Sequence, residues 1–112
     1  MESVKLEKKP DGETVISISG GFTASSVALF NQVVDSYPEE HVVRVDMSKT
    51  SFVDVSGFCA LVSFEKKVKD SGREVLFINP NDKVYNFIQR FPVKKSLLIT
   101  SEIIPILQPV FS

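Results

Sequence analysis

The chain has 112 residues, a length typical of one domain. Apolar residues make up 43% of it and include nine Phe, which is enough for a core, and charged residues make up 24%. The formal net charge of −1 provides no basic surface for nucleic acid. A single Cys excludes an internal disulfide, no N-terminal apolar run follows a basic start, and no stretch approaches about 18 apolar residues. We therefore expect one cytoplasmic domain, residues 1–112, with no direct membrane insertion.

The first predicted elements are the two strands of a hairpin. Val4–Lys8 and Thr14–Ser19 both alternate in polarity, as half-exposed strands do. Pro10-Asp11-Gly12 between them is a strong turn sequence. Gly20-Gly21 is expected to end the second strand.

A helix is predicted after the hairpin. Thr23 or Ser25 can serve as its N-cap, because Thr and Ser hydroxyls accept hydrogen bonds from the free N–H groups of a first turn. Tyr37-Pro38 breaks the helix before the next strand. The inner face of the helix is formed by Val27, Phe30, Val33 and Val34.

The central segment is predicted to be a strand, a loop and a long helix. Val42–Met47 has the apolar content of a strand, and the polar residues Ser48–Ser51 are expected to form the loop. Asp54 is a good N-cap for the helix, and Gly72 suits the left-handed position that ends it. The apolar stripe of the helix comprises Val55, Phe58, Cys59, Leu61, Val62, Phe64 and Val68. Cys59 is therefore expected to be a buried small hydrophobe.

Two residues at the start of this helix are unusual. Gly57 lies in the first turn, where glycine costs about 1 kcal/mol relative to alanine. Such a glycine is expected where another group must approach the backbone closely. Ser56 places a hydroxyl near a helix N-terminus, a position that favours an added phosphate. The alternative is a simple capped helix with a small residue for packing.

The remaining elements are another strand and helix, followed by a less regular tail. Glu74–Ile78 is a short apolar strand, expected to be buried on both sides. Asn79 and Pro80 are expected to be the N-cap and first residue of a helix. Ser96–Ile99 is predicted as an edge strand, and Thr100–Glu102 as the cap of a short closing helix. The inner stripe of the preceding helix comprises Val84, Phe87, Ile88 and Phe91.

This order of elements predicts an α/β fold. The β–α–β units from Val42 onward require parallel strands joined by right-handed crossovers, and the N-terminal hairpin adds an antiparallel strand. The expected architecture is a small mixed β-sheet with an N-terminal antiparallel hairpin, then βαβ units, with the helices mainly on one face.

The residues do not assemble a catalytic, cofactor or metal site. No Gly-rich phosphate loop surrounds Gly20-Gly21. The single His and single Cys, His41 and Cys59, lie on different predicted elements, so they do not form a metal site. His41 also stands at the far end of its strand from Ser56, which excludes a triad. We expect a non-enzymatic protein without a cofactor.

A binding role fits the start of the central helix better. Asp54, Ser56 and Gly57 follow the carboxyl end of a parallel strand, where open α/β sheets place functional loops. Phe22 and Thr23 follow the second strand and are expected at the same edge. Small and apolar groups beside a hydroxyl suit docking onto another protein. A phosphate on Ser56 would add roughly two negative charges beside Asp54 and disrupt that contact.

The segment Val43–Leu61 resembles the STAS domain of bacterial anti-sigma-factor antagonists. Val45-Asp46-Met47-Ser48 is similar to the family's strand end, and Phe52–Leu61 to its helix start, where Asp-Ser-Ser-Gly or Asp-Ser-Thr-Gly is usual. The Gly72–Phe77 strand and the Asn79-Pro80 helix also fit, so the resemblance covers nearly the whole chain.

The resemblance implies partner switching. The partners would be an anti-sigma factor that is also a serine kinase of the histidine-kinase-like ATPase class, and a phosphatase that reverses its action. The usual phosphoacceptor is the hydroxyl directly after the motif's Asp, but this chain has Val55 there. Ser56 is the phosphorylation candidate, and Thr50 and Ser51 are looser ones. The expected partner-binding residues are Asp54, Val55, Ser56, Gly57, Phe58, Phe22 and Thr23.

Three alternatives to a phosphorylated switch stay open. The chain could be an antagonist or scaffold that binds without being switched. It could be the cytosolic STAS accessory subunit of a phospholipid-trafficking ABC transporter, since Asn81–Tyr85 resembles the corresponding helix start in that group, with Tyr85 either a contact or a plain surface residue. It could also bind a small molecule in a pocket lined by Phe22, Phe52 and Phe58.

Overall fold

The computed structural model describes residues 3–90 and 99–100. These residues form five strands and three helices that alternate after the initial hairpin. The elements are β1 (Ser3–Lys8), β2 (Thr14–Phe22), α1 (Ala24–Asp35), β3 (Val42–Val53), α2 (Val55–Asp70), β4 (Glu74–Ile78), α3 (Asp82–Gln89) and β5 (Ile99–Thr100).

The strands form one mixed sheet in the order β1-β2-β3-β4-β5. β1 is antiparallel to β2, and all the other neighbours are parallel. Ile16, Val45 and Phe77 lie side by side in the register and so point to the same face of the sheet. All three belong to one buried cluster that also contains residues of α1, α2 and α3. The predicted fold class, a mixed sheet with helices mainly on one face, is therefore confirmed.

The hairpin turn matches its prediction. Gly12 has φ of 92°, a left-handed conformation that glycine adopts without strain. The N–H of Glu13 donates to Oδ1 of Asp11 over 2.9 Å, as in an Asx turn. Along β1, Val4 is buried, whereas Leu6 is 40% exposed.

The predicted ends of β2 and β3 were wrong. β2 continues through Gly20-Gly21 to Phe22, and β3 continues through Ser48–Ser51, the expected loop, to Val53. The pairing of these strands shifts twice, so that β3 contains two extra residues opposite β2. Such bulges let a polar segment stay in a ladder without strict alternation. Thr50 is even buried, and its hydroxyl donates to the Ile18 carbonyl over 2.9 Å.

The apolar stripe of α2 is shifted from the predicted one. Cys59, which was expected to be buried, is exposed, and Val55 is 58% exposed. The predicted residues span two neighbouring faces of the helix, and only one of these faces the sheet. The residues that face the core are Gly57, Phe58, Leu61, Phe64, Glu65 and Val68. The buried carboxylate of Glu65 lies 3.7 Å from the ammonium group of Lys69, one helical turn later.

The later elements agree with the sequence except at the start of α3. β4 has the predicted bounds, although Leu76 is only half-buried. The N-cap of α3 is Asn81, whose Oδ1 accepts from the Val84 N–H over 2.8 Å, whereas Asn79 takes the left-handed region at φ of 58°. Val84 and Ile88 are buried as predicted.

Part of the predicted C-terminal region lies outside the described residues. β5 pairs with β4 in parallel at the edge of the sheet, where an edge strand was expected, but it includes Thr100, which was predicted to belong to the cap of the closing helix. Phe91, Ser96–Leu98 and the closing helix after Thr100 lie outside the described residues. Within the part of the chain that the structure describes, no helix is both long and apolar enough to cross a membrane.

Tyr37 ties the α1–β3 connection to the sheet. Its hydroxyl donates to the Thr14 carbonyl over 2.8 Å and accepts from the Arg44 N–H over 3.3 Å. Burial is the main cause that raises the pKa of the Tyr37 hydroxyl above its ordinary value of 10.0. The neutral phenol is therefore the form that the folded state prefers.

Replacing Tyr37 by Phe should lower the free energy of unfolding by about 1 kcal/mol near pH 7, because both hydrogen bonds are lost. The pKa of Tyr37 is raised in the folded state, so its contribution is complete below pH 10 and falls as the pH rises through the folded pKa. Urea unfolding of both proteins from pH 7 to pH 11 checks this. A stability difference that grows above pH 10 would contradict the assignment.

Candidate functional site

The carboxyl ends of β2 and β3 meet at one edge of the sheet, directly before the start of α2. Phe22 and Val53, the last residues of the two strands, are register partners. Asp54 then connects β3 to α2 without any intervening loop. We call residues Asp54–Gly57 the β3–α2 turn.

Two hydrogen bonds of Asp54 hold the β3–α2 turn. Its Oδ1 accepts from the Gly57 N–H over 2.7 Å, which confirms the predicted N-cap. Its own N–H donates to the Phe22 carbonyl over 3.2 Å, so the cap is also attached to β2. The helix start is therefore held in place from both sides.

Gly57 is required by a contact within the chain itself. A Cβ at this position would overlap the carbonyl oxygen of Phe22 and lie 2.9 Å from its carbonyl carbon. The sequence correctly indicated a close approach to this glycine. The approaching group is the Phe22 backbone, so Gly57 lets α2 seat against the end of β2.

The structure divides the seven expected partner-binding residues into two groups. Phe22 at the end of β2 is buried, and so are Gly57 and Phe58 on the side of α2 that faces the core. Their side chains are therefore not exposed at this edge of the sheet. The other four residues are at least partly accessible to solvent: Val55 and Ser56 are exposed, and Thr23 and Asp54 are half-buried.

Ser56 is exposed to solvent. It occupies the second residue of α2, next to the capping carboxylate of Asp54. No described residue forms a hydrogen bond with its hydroxyl. Val55 precedes it with 58% of its surface exposed, the largest value among the exposed large apolar residues of the described chain.

Thr23 lies beside this turn at the start of α1. It is the N-cap residue, as predicted, and its N–H donates to the hydroxyl of Ser26 over 3.3 Å. The Ser26 hydroxyl in turn donates to the Gly21 carbonyl over 3.1 Å. These bonds attach the first turn of α1 to β2, so both helix starts are anchored at the same end of that strand.

Phe52 is a surface residue that the sequence analysis did not assign to docking. It is 40% exposed, and its ring lies across Gly21, where an added Cβ would come within 2.5 Å of the ring. The ammonium group of Lys83 lies 5.9 Å from the ring centroid, near the limit of a cation–π contact. Gly21, which pairs with Phe52, was the sequence feature that could have indicated this exposed ring. The pairing could not be predicted from the sequence, because it depends on the bulges between β2 and β3.

The three aromatic residues of the small-molecule hypothesis do not surround a common cavity. Phe22 packs edge-on against Phe30, and Phe58 against Phe87, with centroid distances of 5.2 and 6.3 Å. Phe52 pairs with Gly21, next to the Phe22–Val53 pair, and therefore projects from the other face of the sheet. In the described chain, no three His, Cys, Asp or Glu side chains are grouped to hold a metal.

Comparison with known proteins identifies the family. The model of the STAS domain matches residues 4–105. The chain therefore belongs to the STAS domain family, as its motif and element order indicated. No curated protein matches the sequence.

Solved structures of similar fold include anti-sigma factor antagonists. The anti-sigma factor antagonist SpoIIAA in its unphosphorylated form has a TM-score of 0.69 and 15% identity, over 98% of each chain. A Thermotoga maritima protein provisionally described as an anti-sigma factor antagonist has a TM-score of 0.73 and 17% identity, over 97% of this chain and 95% of that one.

Two structures of Solute Carrier 26 family member A9, one of them the murine anion transporter in its inward-facing state, also match. Both have a TM-score of 0.66 and 21% identity over 78% of this chain. The match covers only 18% and 16% of those chains, so this chain is similar to one part of the transporter. At these identities the likeness shows a shared fold.

Gly57→Ala should lower the free energy of unfolding by about 1–3 kcal/mol, because the added methyl group meets a backbone carbonyl that cannot rotate away. Alanine's better helix propensity would act in the opposite direction. Ser56→Ala is the matched control in the same turn and should change stability little. Chemical denaturation measures both, and a stabilised Gly57→Ala variant would contradict the contact.

Proposed function

We propose that this STAS domain is a non-catalytic protein-binding regulator of the anti-sigma-factor-antagonist kind. Its docking surface comprises the exposed part of the β3–α2 turn together with Thr23 and Phe52. The observation that carries the proposal is the pairing of an exposed, rigidly capped turn with exposed apolar groups, Val55 and Phe52. Rigid backbone lowers the entropic cost of binding, and apolar groups provide the contact.

The partner class follows from the family resemblance. It is an anti-sigma factor that also acts as a serine kinase of the histidine-kinase-like ATPase class, with a phosphatase opposing it in the cytoplasm. The similarity in fold to the anti-sigma factor antagonist SpoIIAA, over 98% of both chains, supports this choice of partner.

Ser56 is the proposed point of control. Its exposed hydroxyl lies in the first turn of α2, where backbone N–H groups and the helix dipole favour a phosphate. The same phosphate would bring roughly two negative charges next to Asp54 and Val55. Binding to an apolar partner surface would then require removing these charges from water, so phosphorylation would release the partner.

A rival proposal is a domain that serves a transporter, including the STAS subunit of a phospholipid-trafficking ABC transporter. The fold similarity to part of an anion transporter supports it. The same exposed turn would then contact an ATPase or permease subunit. The two proposals differ in the partner, not in the surface.

Affinity purification of the tagged chain from its own cells, with mass spectrometry of what copurifies, tests the proposal. The wild type and Ser56→Ala should retain a kinase of the histidine-kinase-like ATPase class. Ser56→Asp should reduce its recovery about tenfold, a change of about 1.4 kcal/mol in binding free energy. Incubating the recovered kinase with the chain and ATP should add a phosphate to Ser56.

Ser63→Asp is the matched control. Ser63 is also exposed on α2 and lies seven residues after Ser56, two turns along the same side of the helix and about 10 Å away. This variant should bind like the wild type. Recovery of an ATPase with a permease would favour the transporter role, and equal losses for Ser56→Asp and Ser63→Asp would contradict docking through the β3–α2 turn.

A further inference from the structure

The outer edge of β1 is an open strand edge in the described chain. β1 is the first strand in the sheet order and pairs with β2 alone. Its pairing runs without a register shift from Ser3–Ser19 to Lys8–Thr14. It contains neither proline nor glycine. A regular edge of this kind can pair with another strand unless its side chains prevent it.

The side chains of β1 carry a self-complementary pattern. Val4 and Leu6 point to the core face, and Lys5 and Glu7 point to the opposite face. Leu6 is 40% exposed although its register partner Ile16 is fully buried, so its outer side is uncovered. Within the described residues neither Lys5 nor Glu7 forms an ion pair.

We propose that a second copy of this chain pairs antiparallel with β1 about a two-fold axis at Leu6. In this register, each Lys5 lies opposite Glu7 of the other copy, and the two Leu6 side chains meet. Directly opposed residues on one face of an antiparallel pair lie about 4.5–5.5 Å apart, so both ion pairs can form. The two sheets would join into one continuous sheet, with the core faces on the same side.

The charges favour this register over those with the axis at Lys5 or Glu7. Moving the axis to Lys5 sets the two lysines opposite each other, and moving it to Glu7 sets the two glutamates opposite each other. An edge lysine usually protects a strand from pairing. Here Lys5 disfavours the first alternative and Glu7 the second, and Lys5 lies opposite a negative charge only in the register centred on Leu6. The self-complementary charge pattern is what favours a second copy over a different protein as the occupant.

Charge exchange between two variants tests the proposal. Lys5→Glu places two glutamates opposite each other, and Glu7→Lys places two lysines opposite each other. Each single variant should therefore weaken self-association by about tenfold or more. An equimolar mixture of the two should restore it, because the residue pairs across the interface again have opposite charges. Sedimentation equilibrium over a concentration series measures each case.

Thermal unfolding by circular dichroism confirms that each variant is folded before association is measured. Sedimentation equilibrium can follow association up to a protein concentration of about 1 mM. Wild-type protein that is still monomeric at that concentration would overturn the proposal. A mixture that associates no better than either variant alone would also overturn it. The result is separate from the proposed function, because partner recovery by Lys5→Glu should be unchanged if docking uses the β3–α2 turn.

Discussion

The carbonyl group of Phe22 is the contact on which the candidate site depends. It accepts the N–H of Asp54 and would overlap a Cβ at position 57, so the end of β2 and the start of α2 are in contact at one point. Only a residue without a side chain can occupy position 57 in this arrangement. The glycine therefore serves the fold first, and any docking function is built on the position that it creates.

This fastening determines which neighbouring groups reach solvent. Because Gly57 and Phe58 face the core, the helix periodicity turns Val55 and Ser56 outward. The Asp54 carboxylate is used inside the turn, where it accepts the Gly57 N–H. The exposed surface is thus apolar at Val55, hydroxylated at Ser56 and held on a rigid frame, which is the combination that a phosphate-sensitive docking surface requires.

Much of this arrangement was predictable because it depends on local rules. The hairpin turn, the Asp54 cap, the end of α2 at Gly72 and the bounds of β4 all follow from turn and capping chemistry or from a plain apolar run. The family resemblance of the motif then singled out Asp54 and Ser56 as candidates, and Asp54 is the N-cap. These features need no knowledge of what lies across the sheet.

The features that the sequence did not reveal depend on partners distant in the chain. The continuation of β3 through Ser48–Ser51 is stabilised by pairing with the glycine end of β2 and by bulges that alternation cannot show. The burial of one face of α2, and the exposure of Cys59, depend on how that helix is rotated against the sheet. Likewise, Asn81 rather than Asn79 caps α3, and its amide also donates to the Thr50 carbonyl of β3 over 2.8 Å.

Native-state hydrogen exchange, followed residue by residue by NMR, tests the central contact most directly. The Asp54 amide donates to the Phe22 carbonyl, so this hydrogen bond should break only when the end of β2 separates from α2. We therefore predict that the Asp54 amide is protected from exchange nearly as well as the Val45 amide in the core. The Ser56 amide, in the exposed first turn, should exchange much faster. An Asp54 amide that exchanges as fast as that of Ser56 would show that the helix start is not fastened to β2, and would contradict this account of the site.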